Sequence, residues 1–327
     1  MKIKTDNYEI YKGDCLEVMK DVPDKSVDMI LCDLPYGTTD CKWDNVIPFA
    51  PLWAQYNRLV KDNGAIVLFA AQPFTTKLIQ SNFADFKYCW YWKKNTATGH
   101  PFAKFQPMRC VEDICVFRRQ GGNEGQYLSL RAYLLTELKK CGLKRAEIDK
   151  LLGNTMSSHY FTMGRQFVIP SEKDYKKLQS TGYFARTYDE IKKEFSSARH
   201  KREATYNPQG LIKLEKTIKR KKSKATDTIY DMSTLGKEHE QKYTNYPKNL
   251  IEFAKDTERL HPTQKPVALL EYLVKTYTNE GDTVLDNCMG SGSTGVACKN
   301  TKRKFIGIEL EKNYFDIAES RIRKLSA

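Results

Sequence analysis

An open α/β fold with a mostly parallel sheet, interrupted by a basic helical insertion, is the architecture that the order of residues predicts. Three observations lead to it. Short apolar runs alternate with helix-spaced stretches over residues 1–120, as in a chain that winds helices onto a parallel sheet. The same alternation resumes at Asn249. Between the two lie short, charged, helix-spaced segments without a recurring strand, after the break at Arg118-Arg119-Gln120-Gly121-Gly122.

Taken in order, Val27–Cys32 reads as a buried strand that runs into Asp33 at its C-terminal end, the end of an open α/β sheet where ligands sit. Trp53–Leu59 has helical spacing, Gly64–Phe69 is a strand after a turn, and Phe74–Ile79 begins a helix. Tyr88–Trp92 and Asp113–Phe117 are two further strands. In the insertion, Leu134–Lys140 and Arg145–Leu152 are amphipathic helices separated by Cys141-Gly142, and a third helix starts over Ser157–Thr162. That spacing suits a helix-turn-helix unit as well as a plain helical insertion. Beyond Asn249 follow a helix over Pro266–Thr278, a strand over Thr283–Asp286, a glycine-rich turn, a helix over Thr294–Lys299, a strand over Lys304–Ile308 and a helix over Tyr314–Lys324. The chain therefore divides into 1–120, an insertion over 121–245, and 246–327.

Composition narrows the function. A hydrophobic fraction of 40% fits a folded, soluble chain. The net charge of +14 points to a polyanionic partner, nucleic acid first. That charge is regional: Gly121–Lys242 holds 25 Lys and Arg against 15 Asp and Glu. The cluster Lys219-Arg220-Lys221-Lys222-Ser223-Lys224 suits phosphate contact. Nine cysteines with no Cys-x-x-Cys pair argue against a disulfide framework or a zinc cage, so no metal is expected. The polar N-terminus and the lack of a long apolar run predict a cytoplasmic protein without a membrane span.

Two motifs carry chemistry. Asp286-Asn287-Cys288-Met289-Gly290-Ser291-Gly292-Ser293-Thr294 follows a strand and opens a helix, so its backbone can turn tightly against a ligand. The next strand ends in Glu309, about twenty residues on, where an acid can grip a ribose diol. Gly295 completes a Gly-x-Gly-x-x-Gly pattern, so this spacing alone leaves a nicotinamide or flavin site open. The second motif is Asp33-Leu34-Pro35-Tyr36-Gly37. A carboxylate there can accept one hydrogen of an amine, the Leu34 carbonyl the other, and the Tyr36 ring offers a face for a base. Trp90 and Trp92, followed by Lys93, Lys94 and Asn95, serve either a channel or the core, and His100 and Lys104 lie in a Gly/Pro-flanked loop suited to closing over DNA.

With these residues in view, the sequence resembles the β-group DNA amino-methyltransferases, in which the catalytic half precedes the cofactor-binding half. Asp33-Leu34-Pro35-Tyr36 matches the family's catalytic Asp/Asn/Ser-Pro-Pro-Tyr/Phe, with Leu34 in place of the first proline. Gly13-Asp14-Cys15 resembles the turn at the cofactor's adenine, and His261-Pro262-Thr263-Gln264-Lys265-Pro266 the final motif, whose Thr263 and Lys265 positions lie near the methionine carboxylate. Asp286, Asn287, Cys288, Met289, Gly290, Ser291, Gly292 and Thr294 resemble the methionine-binding turn, and Glu309 the ribose-binding acid. The resemblance covers about residues 1–120 and 245–327. It implies a circularly permuted class I methyltransferase fold, Rossmann-like, with S-adenosylmethionine as cofactor and duplex DNA as partner. It also implies base flipping, with catalysis by Asp33, Leu34, Pro35 and Tyr36, and Asp33 facing the cofactor as well. Asp at the first motif position resembles the adenine-N6 members more than the cytosine-N4 ones. The insertion corresponds to the target-recognition region, and by analogy a homodimer and a restriction-modification setting are implied, with no partner nuclease identified. Cytosine-N4 methylation, RNA amino-methylation and an inactive DNA-binding module are the competing readings.

Overall fold

Strand Val27–Asp33 is where the architecture is anchored, because a run of Val, Met, Ile, Leu and Cys can face apolar neighbours on both sides of a sheet. The computed structural model describes residues 1–37, 45–118, 128–162, 167–200, 204–220, 239–258 and 260–324. In chain order the elements of the first part are β1 (Lys2–Lys4), β2 (Tyr8–Lys12), α1 (Cys15–Val18), β3 (Val27–Asp33), α2 (Phe49–Leu59), β4 (Val60–Ala70), α3 (Phe74–Ser81), β5 (Phe86–Thr98) and β6 (Arg109–Phe117). Helices α4 (Leu128–Cys141), α5 (Arg145–Leu152), α6 (Ser157–Tyr160), α7 (Glu172–Gln179) and α8 (Tyr188–His200) follow, then β7 (Ile212–Arg220) and β8 (His239–Thr244). The last part holds β9 (Leu250–Glu252), α9 (Val267–Tyr277), β10 (Thr283–Asp286), α10 (Ser293–Asn300), β11 (Lys304–Glu309) and α11 (Lys312–Lys324).

The described strands form a nine-stranded sheet in the order β1-β2-β11-β10-β3-β4-β6-β5-β9 and a separate β7-β8 pair. Pairs β2-β11, β11-β10, β10-β3, β3-β4 and β5-β9 are parallel, whereas β1-β2, β4-β6 and β6-β5 are antiparallel. The mostly parallel α/β architecture expected from the sequence is thus present. Strands β10 and β11, late in the chain, are slotted between β2 and β3, which are early. Period-two alternation divides the sheet's faces. Met29, Leu31, Val67 and Phe69 join α9, α10 and α11 in one core, while Ile30, Cys32, Ile66 and Leu68 join α2 and α3 in the other. The acid within β3, Asp28, is tolerated because it pairs with Lys61 at 2.8 Å and accepts the Thr283 N–H.

Several elements differ from expectation. The N-terminal hairpin β1-β2 and strand β9 are too short to stand out, and register with β11 and β5 places them in the sheet. Strands β5 and β6 extend well beyond their apolar centres because they pair with each other. The insertion, expected to lack strands, contains the β7-β8 hairpin, in which β7 alternates Ile212, Leu214 and Ile218 with polar residues, a signal the helical expectation passes over. Its third helix, α6, is a single turn. Helices α4, α5, α7 and α8 bury Leu130, Leu134, Ile148, Leu152, Tyr175, Leu178 and Ile191 in a core of their own. The basic residues 221–224 lie outside the described residues.

Candidate active site

The C-terminal ends of β3, β10 and β11 come together because these strands are parallel, and each ends in an acid: Asp33, Asp286 and Glu309. A cavity of about 700 Å³ opens there. Every residue assigned by resemblance to catalysis or cofactor binding lines it except Gly292.

Gly292 acts one layer back. Its φ of +80° is left-handed, and a Cβ there would stand 2.8 Å from that of Ala318 on α11. Only glycine therefore lets the turn open α10 this close to α11. Gly290, also left-handed at φ +51°, donates its N–H to Glu309 Oε2 at 2.9 Å, and Glu311 N–H reaches Oε1 at 2.8 Å. Burial raises the Glu309 pKa against the opposing pull of these hydrogen bonds. Asp286 accepts the Thr294 hydroxyl at 2.6 Å and the Cys288 N–H at 3.1 Å, and burial pushes its pKa up to about 6. Asn287 accepts the Tyr56 hydroxyl at 2.5 Å. Met289 is buried with its N–H on the Ile308 carbonyl, and Ser291 is held by Arg321. Asp14 caps α1, its Oδ1 accepting from Leu16 and Glu17 N–H. Cys15 lies beside Cys288, and hydrogen bonding with it together with burial drives the Cys15 pKa far up, so neither thiol is poised as a nucleophile.

The Asp33-Leu34-Pro35-Tyr36 turn sits in a knot of charge. Lys265 Nζ bridges Asp33 Oδ2 at 2.6 Å and Glu112 Oε1 at 2.9 Å. Lys94 holds the other oxygen of Glu112 at 2.8 Å. The Tyr36 hydroxyl donates to Asp33 Oδ1 at 2.8 Å, with Glu112 Oε1 a second acceptor at 3.2 Å. Burial alone would raise both carboxyl pKa values, but Glu112 faces two ammonium groups and is held at about 2. Asp33 shares one ammonium with a neighbouring carboxylate, so burial and the Glu112 charge leave it raised despite Lys265. Lys265 itself is raised, since the two carboxylates outweigh its burial. The Tyr36 ring stacks on Phe74 at 4.9 Å, which covers one of its faces. Leu34 is buried and Pro35 shapes the turn between the two polar groups.

Glu112 was not singled out from sequence. Its signal is the pair Glu112-Asp113 entering an otherwise apolar strand, where alternation sends Asp113 to Thr75 and Glu112 to the cavity. Thr263 hydrogen-bonds His261 Nδ1 at 3.1 Å, and the His261 ring packs edge-on against Tyr314 at 4.2 Å. Trp90 and Trp92 belong to the core, their indole N–H groups donating to Tyr277 and to the Phe253 carbonyl, although Trp92 also reaches the cavity wall. His100 and Lys104 lie outside the cavity lining. Among the described residues no His, Cys, Asp or Glu cluster could hold a metal ion, the eight described cysteines are free thiols, and no helix could cross a membrane.

Comparison with known proteins agrees with this geometry. A family model described as DNA methylase, of the N6/N4 type, matches residues 27–320. The type II methyltransferase M2.DpnII of Streptococcus pneumoniae is 53% identical over 62 residues, 19% of this chain and 23% of that protein. The type II methyltransferase M.HpaI of Haemophilus parainfluenzae is 41% identical over 81 residues, 23% of this chain and 26% of that protein. The matched segments thus span about a quarter of these relatives' own lengths. Among solved structures, the PvuII DNA methyltransferase, cytosine-N4-specific, is similar in fold with a TM-score of 0.54 at 13% identity, covering 99% of this chain and 91% of that one. The chain belongs to the N6/N4 DNA methylase family.

Proposed function

We propose that the protein methylates duplex DNA at the exocyclic N6 of adenine, with the catalytic turn preceding the cofactor-binding turn in the chain. The observation that carries this reading is the placement of Asp33-Leu34-Pro35-Tyr36 and of the Asp286–Thr294 turn on one cavity, at adjacent strand ends.

The donor set fits S-adenosylmethionine. Glu309 keeps acceptor capacity beyond its backbone partners and suits a ribose diol. Asp286 suits an ammonium, Asp14 an adenine amine, and the turn opening α10 offers backbone N–H groups of the kind that receive a carboxylate. Lys265 and Thr263 line the same cavity, with Lys265 engaged by Asp33 and Glu112. The bound cofactor supplies an activated methyl group on a sulfonium.

Against it, this chain's task is to hold an amine in line. Asp33 accepts one amine hydrogen and the Leu34 carbonyl the other, which turns the nitrogen lone pair out of ring conjugation. Phe74 backs one face of Tyr36, so the flipped base stacks on the other. Lys265 keeps the Asp33 carboxylate from repelling Glu112. The raised pKa of Asp33 suits it to take the proton that the amine sheds as its new N–C bond forms. Unstacking and unpairing the base costs a few kcal/mol, which the ring contact and the two hydrogen bonds offset. The insertion, 121–245, reads the target sequence, and its positive charge supplies phosphate contacts.

The test is to incubate the protein with labelled S-adenosylmethionine and unmethylated duplex DNA, digest the DNA, and identify the labelled nucleoside. Label in N6-methyladenosine is expected; label in N4-methylcytosine overturns the choice of base. Asp33→Ala should lower the rate by at least about a hundredfold while cofactor binding by calorimetry stays within a few fold.

A further inference from the structure

Residues 99–108, which join β5 to β6, form the tip of a long hairpin beside the cavity: Thr98, Arg109 and Val111 at its base line the cavity wall. The tip is tightly folded on itself. Phe102 N–H donates to the Gly99 carbonyl, Ala103 to His100, and both Phe105 and Gln106 to Phe102. Yet it presents Phe105 at 87% exposure and Phe102 at 59%. Two phenylalanines held in water on an ordered turn, rather than folded into the neighbouring core, lose their hydrophobic stabilisation unless something covers them. The charge of the same segment says what does. From Lys93 to Val111 the sequence contains Lys93, Lys94, Lys104 and Arg109 and no acidic residue. Lys93 and Lys94 are paired to Glu252 and Glu112, at the root of the hairpin. Lys104 and Arg109 flank the aromatic tip itself.

We propose that this hairpin tip is a DNA wedge, in which Phe105, supported by Phe102, enters the duplex beside the target nucleotide and occupies the stack that the flipped base leaves. The proposal rests on the reading of the protein as a base-flipping DNA methyltransferase. An apolar side chain inserted at a base step replaces lost stacking, and Lys104 and Arg109 anchor the flanking phosphates. The strands that carry the tip also carry Glu112 and Lys94, which hold the charge network around Asp33. The tip acts on the duplex, while the Asp33–Tyr36 turn acts on the base once it is out.

A wedge matters only where there is a stack to open. Phe105→Ala is therefore expected to weaken both methylation and binding of native genomic DNA about tenfold, the worth of one aromatic–base stack. On the same DNA after heat denaturation, both should stay within about twofold of wild type. Phe105→Trp should retain the native-DNA values. Binding is read by the anisotropy of a fluorescein-labelled DNA pool and methylation by label transfer. If wild type binds DNA without methylating it, the functional reading fails, and the binding ratio still decides the wedge. Equal losses on native and denatured DNA, or no loss on either, overturn the proposal. So does a Phe105→Ala variant that keeps duplex binding but no longer sediments as a dimer where wild type does, which would assign the tip to a second copy of the chain.

Discussion

Asp33 and Glu112 are two carboxylates around one lysine, and their difference is set by a second lysine. Lys94 reaches Glu112 and leaves Asp33 with a half share of Lys265. Glu112 is therefore the fixed charge and Asp33 the one that can exchange a proton. If Asp33 must be ionised to accept the amine hydrogen, its raised pKa sets the acid limb of the pH–rate profile. Glu112→Gln removes the like charge beside it and keeps the shape, so that limb should move to lower pH. An unmoved limb in the kcat/KM profile would show that another group sets it. Asp286 gives a separate pH signature, in stability. Its pKa is about 6 when folded and near 3.8 unfolded, so folding takes up a proton between those values. Its contribution to stability is therefore present below about pH 4 and is lost as pH rises through 6, on the order of 3 kcal/mol in total. Asp286→Asn should make the slope of unfolding free energy against pH less negative across that window, as denaturant titrations at pH 4, 5 and 6 would reveal.

At the scale of elements, the turn between β10 and α10 is a packing solution. Gly292 is left-handed and touches α11 through the space a side chain would fill. Gly292→Ala should destabilise the fold by about 2 kcal/mol or more, from backbone strain together with overpacking. Denaturant midpoints would measure this, and adding Ala318→Gly should restore part of the loss by opening the facing side. Full recovery would mean that strain at φ +80° contributes nothing. The hairpin β5-β6 carries the opposite lesson. Its apolar centre belongs to the core, while its polar extension projects Glu112 and Lys94 into the cavity.

For the whole molecule, charge is distributed unevenly. Of the net +14, Gly121–Lys242 accounts for the difference between 25 basic and 15 acidic residues. If this region neutralises DNA phosphates, reversing the charges of Lys219, Arg220, Lys221, Lys222 and Lys224 should flatten the dependence of DNA affinity on salt. The slope of log affinity against log salt changes by about 0.9 for each phosphate left without its basic partner. A slope equal to that of wild type would place the duplex on another surface.

The sequence alone determined the alternating α/β order, the strand ends that carry Asp33, Asp286 and Glu309, and the helices after them. Each rests on a local pattern: an apolar run long enough to be a strand, a glycine turn, or helical spacing. It also located the motif residues, because Asp-Leu-Pro-Tyr and the glycine-rich turn are contiguous. Tertiary structure decided what contiguity cannot: that β10 and β11 lie between β2 and β3, and that Lys265 meets Asp33 from 232 positions away. It also decided that Glu112 joins them, and that the insertion contains the β7-β8 hairpin. The polar β8 and the three-residue β9 are stabilised by register with a partner strand more than by their own side chains, so their sequences hold little signal, whereas β7 alternates Ile212, Leu214 and Ile218 with polar residues and was legible. Buried charges are equally silent, since a lysine or glutamate enters a core only when opposite charges distant in sequence meet it there.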